Sequence, residues 1–381
     1  MPPPPELPPA EALALGLLQA VADQDFASTP DAHLAGAPVA DFPSIDLAVI
    51  AFPEGRSPFW ANVLFSREHP QGVVAEIDAL AGPVRNIRFD ADLQDAKGDS
   101  IAWAPGADWR LMSLRTLYGQ GQATRMVAAY PASLLKLMVA VGVGMALDWE
   151  LIPGWPVALE PMMVVSDNDA TTELVALLHQ VKLVDTLNAR LASLRLPTLQ
   201  LNGTQPDGGW RNADGSGVGH IHMTAWDTAR LLWLLDAEAP PAPWLPPGTR
   251  LLKPATRDHL RGVLQRQQLD HVLSSGSVRD VPGWVPGLPD APVFAHKTGF
   301  TQNYTSDAGI VRVPRSGSGP GCHCIVALLS NLGRRYAPDP RCATTWRIPA
   351  LGAAVHALVQ RLTQTPMQTQ SLAARDGGGA T

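Results

Sequence analysis

The sequence predicts an α+β fold: one antiparallel sheet built from both chain ends, flanked by helices, with a helical subdomain inserted between them. Three observations predict it. Strand-like runs sit early, at residues 45–52, 60–65 and 73–77. Three β-rich runs follow one another late, at 293–297, 307–313 and 324–329. The stretch between is dominated by apolar residues at helical spacing. Strands at both ends with helices between them favour a sheet shared by the termini.

The elements read in order as follows. Residues 1–10 are Pro-rich and expected to be flexible or extended. Residues 11–22 predict a short helix, apolar at Leu13, Leu17, Leu18 and Val21. After the early strands, 86–93 and 101–103 read as short strands or loops. Residues 133–147 predict a helix, with Pro131 just ahead of it where proline is tolerated. Residues 161–165 lead into a second helix that runs from 170 to about 191. Residues 224–235 and 256–269 predict two more, and Pro/Gly-rich loops fill 203–219, 239–249 and 281–292. A last helix, 345–362, closes the fold before a polar tail at 363–381. The expected division is 11–130 for the N-terminal helix and strands, 131–270 for the helical subdomain and 271–362 for the closing strands and helix.

Composition excludes several classes. The chain has 381 residues, 46% of them apolar and 17% charged, enough for a sizeable core. A net charge of -6 leaves no basic footprint for nucleic acid. No apolar run is long enough for a membrane span. Cys322, Cys324 and Cys342 are too few for a disulfide scaffold. With His323 they also fall short of a metal-ligand set, so packed, reduced thiols are expected and no metal or cofactor. The N-terminus lacks a basic start, and Glu6 and Glu11 precede its apolar stretch. The expected location is therefore the cytoplasm, or the periplasm if a leader has been removed.

Chemistry concentrates in three short motifs, in order: Ser133-Leu134-Leu135-Lys136, Ser166-Asp167-Asn168 and Lys297-Thr298-Gly299. The chain has only five lysines, Lys97, Lys136, Lys182, Lys253 and Lys297, and two of them fall in these motifs. Ser133 and Lys136 are three apart at a helix start and share a face. A serine hydroxyl needs a base to act as nucleophile, and a lysine amine serves if burial and nearby positive charge keep it neutral. Lys297 would supply such charge. Ser166 is a candidate proton carrier to the leaving group. Asn168 offers an amide to a substrate carbonyl and to a lysine at once. Lys297 is also suited to a substrate carboxylate. Gly299 would let a substrate approach the strand closely.

This set resembles the class A β-lactamase-like and penicillin-binding serine hydrolases, over roughly residues 125–362. The resemblance implies a β-lactamase/D,D-peptidase-like fold and amide or ester hydrolysis through a Ser133 acyl-enzyme. Lys136, Ser166 and Lys297 would be catalytic, and the N–H groups of Ser133 and Phe300 would form the oxyanion hole. Asn168, Thr298 and Gly299 would hold a small, carboxylate-bearing substrate. Acyl transfer, or a penicillin-binding sensor that acylates without turnover, is the alternative.

Two departures from the family bear on this. The family's deacylating glutamate has no counterpart at 196–219, where Asp207 and Asp214 are the only acids. Asp207 is the candidate replacement, but Pro206, Gly208 and Gly209 equally suit an ordinary turn. Ser166 also follows Ser133 by only 33 positions, a short gap for the family. Trp244 and Trp284, in the later Pro-rich loops, either rebuild the cleft rim or anchor packed loops. His220, His222 and His296 are expected in structural or surface roles, and His179, His259 and His356 on helix surfaces.

Overall fold

A computed structural model describes residues 7–39, 41–91, 115–119, 123–210, 221–314, 321–343 and 345–364. Expectations for the first residues, for 101–103, for Asp214 and His220, and for nearly all of the C-terminal tail lie outside these.

The main sheet has six strands in the order β3-β2-β1-β11-β10-β9. They are β1 (Ile45–Ala51), β2 (Phe59–Ser66), β3 (His69–Val74), β9 (Phe294–Phe300), β10 (Thr305–Val313) and β11 (Cys322–Ser330), and every pairing is antiparallel. The ends of the chain meet at β1 and β11, with Ile45 opposite Ser330 and Ala51 opposite Cys324. The expected sheet from both termini is thus what forms.

Central strands buried on both faces read as continuous apolar runs, and alternation sorts their residues. Leu47, Val49 and Ala51 of β1, with Cys324, Val326 and Leu328 of β11, face one core. That core is closed by α1 (Pro9–Ala22) and α8 (Arg347–Gln364) through Leu13, Leu17, Leu351 and Val355. Ala48, Ile50, Ile325, Ala327 and Leu329 face the second core, which they share with the helical block. The three cysteines are unbridged and buried. Among the described residues no group of three or more His, Cys, Asp or Glu side chains is placed to hold a metal. Nor is any described helix long and apolar enough to cross a membrane.

The helical block surrounds α2 (Lys136–Asp148), which is buried from Lys136 to Ala146. A helix apolar all round belongs in a core. Around it lie α3 (Leu159–Val164), α4 (Asn168–Gln180), α5 (Val184–Ser193), α6 (Ala225–Leu235) and α7 (Pro254–Leu264). Thr224 caps α6 by accepting from Asp227 N–H.

Three expectations are corrected. The single helix over 170–191 is two, α4 and α5. Lys182 takes a left-handed φ of 55°, and Leu183 N–H bonds back to Leu178 O at 2.8 Å, closing α4 in a Schellman-type turn. The strand at 73–77 is β3, which starts earlier, at His69, and ends at Val74. The helix at 256–269 stops at Leu264, because Gln267 and its neighbours leave the helix to bond elsewhere. The run at 86–93, read as a strand or loop, contains β4 (Ile87–Ala91), which forms a small second sheet with two strands unforeseen from the sequence, β5 (Arg115–Tyr118) and β6 (Thr124–Val127). A two-stranded pair, β7 (Gln200–Leu201) and β8 (Ile221–His222), flanks the block.

Candidate active site

Three chain segments meet at the start of α2. Residues Ala132–Leu135 form a 3-10 turn that feeds directly into it. Ser133 lies on this turn and Lys136 begins the helix. Ala132 is left-handed, with φ 49°, a conformation that costs a residue bearing a Cβ about 1 kcal/mol. The second segment joins α3 to α4. Ser166 sits in that joint with φ 60°. Asp167 caps α4, accepting from Ala170 N–H at 2.7 Å, which explains the acid in the middle of that motif. Asn168 is the first residue of α4. The third segment is β9, with Lys297 fully buried.

Side chains from all three segments converge. Lys136 Nζ bonds to Ser166 O at 2.5 Å, to Ser166 Oγ at 3.1 Å and to Asn168 Oδ1 at 2.8 Å. Lys297 Nζ donates to Ser166 Oγ at 3.0 Å and to Thr298 O at 2.6 Å. The Ser166 hydroxyl therefore lies between two lysines. Both amines are shut off from solvent, whereas Ser133, Ser166 and Asn168 are half-buried. Ser133 Oγ hydrogen-bonds to no described residue. Burial pushes Lys297 down to about 7, with Asp307 pulling the other way.

Of the remaining candidates, Thr298 is fully buried with an unsatisfied Oγ1. Phe300 ends β9, its ring between the edge of His271 at 5.0 Å and the Arg334 guanidinium at 4.6 Å. Burial pushes His271 down to about 3, so its imidazole is neutral. Gly299 does more than admit a ligand. A Cβ there would lie 2.6 Å from each of Leu134 N, Pro131 O and Ser306 Oγ. The strand backbone presses against the serine-bearing turn here, and only glycine fits.

Asp207 is exposed, and its Oδ1 accepts from Gly209 N–H at 2.9 Å, an Asx turn. Trp210, from the same loop, is buried with its ring 5.8 Å from Lys136 Nζ. Trp244 and Trp284 are loop anchors, donating to Leu194 O at 3.1 Å and to Ser275 O at 2.9 Å.

Comparison with known proteins adds a second line of observation. Residues 155–319 match the β-lactamase enzyme family. That stretch, under half of the chain, resembles it. It includes Ser166-Asp167-Asn168 and Lys297-Thr298-Gly299 and begins after Ser133 and Lys136. The motif resemblance to β-lactamase-like, penicillin-binding serine hydrolases is thereby supported. Among solved structures, a β-lactamase from Sphaerobacter thermophilus is 14% identical, with 92% of this chain and 97% of that chain covered and a TM-score of 0.47. PBP-A is 16% identical, covering 94% and 97% at a TM-score of 0.45. A β-lactamase from Streptosporangium roseum is 16% identical, covering 66% and 90% at 0.41. No curated protein matches the chain.

One residue that braces this site, Gln267, gave no signal in the sequence. Gln267 Nε2 donates to Met163 O at 3.0 Å and to His296 O at 3.4 Å, stapling α3 to β9. His296 is fully buried behind Lys297, with Nδ1 2.7 Å from Asp307 Oδ1 and Nε2 3.1 Å from Asp270 Oδ1. Burial opposes its charge, yet the two carboxylates raise it to about 9. Its role is structural, as expected. His179 is half-buried against Thr204, and His356 keeps a buried Nε2, so neither is a plain surface residue. His259 stacks on Trp155 in the open.

Proposed function

We propose that this protein is a serine hydrolase that cleaves an amide, β-lactam-like or peptidic, or an ester, through an acyl-enzyme on Ser133. The observation that supports it most is the Ser166 hydroxyl held between Lys136 and Lys297, with Lys136 three residues after the half-buried Ser133. Lys136 takes the Ser133 proton, and Ser133 Oγ attacks the carbonyl carbon. The Ser133 and Phe300 N–H groups receive the developing oxyanion. Ser166 donates a proton to the leaving nitrogen or oxygen and is reprotonated from Lys136, to which it is already bonded. Water then releases the acyl group. Lys297, with Thr298 and Asn168, holds the anionic end and the amide of a small carboxylate-bearing substrate.

A second reading, acyl transfer or acylation with slow release, draws on Trp210 and Asp207. The Trp210 indole packs beside Lys136, and Asp207, the acid candidate among the described residues, accepts from Gly209 N–H in its own turn. Labelling with a fluorophosphonate or penicillin probe tests the first reading: Ser133→Ala must lose all label, and retention of label in that variant rejects it. Intact mass after penicillin treatment separates the two, a lasting adduct favouring the second.

A further inference from the structure

We infer that Ser306, on β10, is a positioning residue for the Ser133 nucleophile; this rests on the serine-hydrolase reading above. Ser306 is fully buried and lies directly opposite Gly299 in the β9–β10 ladder. Its hydroxyl donates to Pro131 O at 2.5 Å, with a longer contact to Gly299 O at 3.4 Å. It reaches Pro131 because residue 299 has no side chain in the way: a Cβ there would lie 2.6 Å from both partners.

Pro131 is the last residue before the serine-bearing turn, and its carbonyl also accepts Leu134 N–H at 3.1 Å. The turn closed by the second of these bonds holds Ala132, at φ 49°, and Ser133. A left-handed alanine persists only where its surroundings hold it. The turn's own bond fixes its curvature, whereas the Ser306 bond fixes where the whole turn stands relative to β9. Lys297 and Phe300 are on β9, so Ser306 sets the distance from the nucleophile to the groups that must act on the same carbonyl. Displacements of about 1 Å at such a place cost on the order of a hundredfold in rate.

Strand β10 supplies its own control. Thr305, the preceding residue, is equally buried, and its hydroxyl also donates to a backbone carbonyl, Ala343 O at 2.8 Å. That bond points to the opposite face of the sheet, away from the turn. Losing it costs a buried hydrogen bond without touching Pro131.

The test compares Ser306→Ala, Ser306→Cys and Thr305→Val with the full-length protein, measuring thermal midpoints and the saturable kinetics of Ser133 labelling by a fluorophosphonate probe. Ser306→Ala is expected to slow the bond-forming step at least about tenfold with half-saturation unchanged. Ser306→Cys, whose thiol is a weak donor, is expected in between. Thr305→Val should lose a similar part of the midpoint and label at the wild-type rate. Labelling of folded Ser306→Ala at the wild-type rate overturns the inference, as does an equal slowing in Thr305→Val. If Ser306→Ala does not fold, Ser306→Cys decides by the same comparison. A wild type that takes no label overturns the hydrolase reading itself and this inference with it.

Discussion

Lys297 donates to the Ser166 hydroxyl at 3.0 Å across 131 residues of sequence, joining the sheet edge to the helical block. Lys136 reaches the same oxygen from the other side at 3.1 Å. A hydroxyl fixed between two amines is poised to pass a proton from one to a leaving group while the other holds positive charge nearby.

Removing Ser166 should therefore cost more than its size suggests. Ser166→Ala is expected to slow acylation by an unactivated amide about a hundredfold or more, the usual worth of a positioned proton donor. An aryl ester needs no protonated leaving group and should be far less affected. Stopped-flow acylation with both substrates checks this, and equal losses for both would remove Ser166 from the proton path.

The depressed value of Lys297 gives a pH signature. Burial holds it near 7. Below that pH it is an ammonium that can pair with a substrate carboxylate, and above it increasingly a neutral amine. The KM for a carboxylate-bearing substrate should rise as pH passes upward through about 7, while that of its methyl ester stays flat. A flat profile for both would show that Lys297 does not bind the anionic group.

Asp207 separates the two readings of deacylation. Asparagine keeps a side-chain oxygen for Gly209 N–H, so Asp207→Asn preserves the turn but cannot act as a base. The expected result is an unchanged release rate, measured by intact mass over time. A tenfold or larger slowing, on the scale of a lost general base, would make Asp207 the deacylating residue.

The parts of this architecture legible in the sequence are those where burial imposes a period. Strands β1 and β11 are largely apolar on both faces, and α2 is apolar all round, so each stood out as a run. Lys136 and Lys297 were legible because lysine is rare here. The break between α4 and α5 was not, because lysine rather than glycine takes the left-handed position at residue 182. Ser306 and Gln267 were hidden for another reason. Their partners, Pro131 and Met163, are backbone carbonyls more than a hundred residues away, and no side-chain pattern records which carbonyl a strand register will bring close.

His296 should make stability fall on the alkaline side. Its folded value is about 9, against 6.5 for an ordinary histidine, because Asp307 and Asp270 bind the charged ring. A raised value means the native state holds the proton more tightly. The contribution is complete below about pH 6.5 and disappears as pH rises through 9. Urea denaturation of wild type and His296→Gln at several pH values checks this. The difference between them should amount to a few kcal/mol at pH 6 and shrink by pH 9, and a gap that widens with pH would contradict the ion cluster.

Gly299→Ala is the sharpest test of how β9 meets the turn. The added methyl has no flexible neighbour to displace, since two of its three contacts at 2.6 Å are backbone atoms of the turn and the third is the buried Ser306 hydroxyl. Either the strand or the turn must move. Overpacking of this kind typically costs about 1–3 kcal/mol, and here it also pushes Ser133 away from Lys297 and Phe300. The variant should unfold at a lower temperature and, while still folded, acylate at least about a hundredfold more slowly. Alanine at Gly154, where nothing lies within 4 Å of the new Cβ, should do neither. If both variants label Ser133 at the wild-type rate, the close approach of strand and turn does not govern the nucleophile.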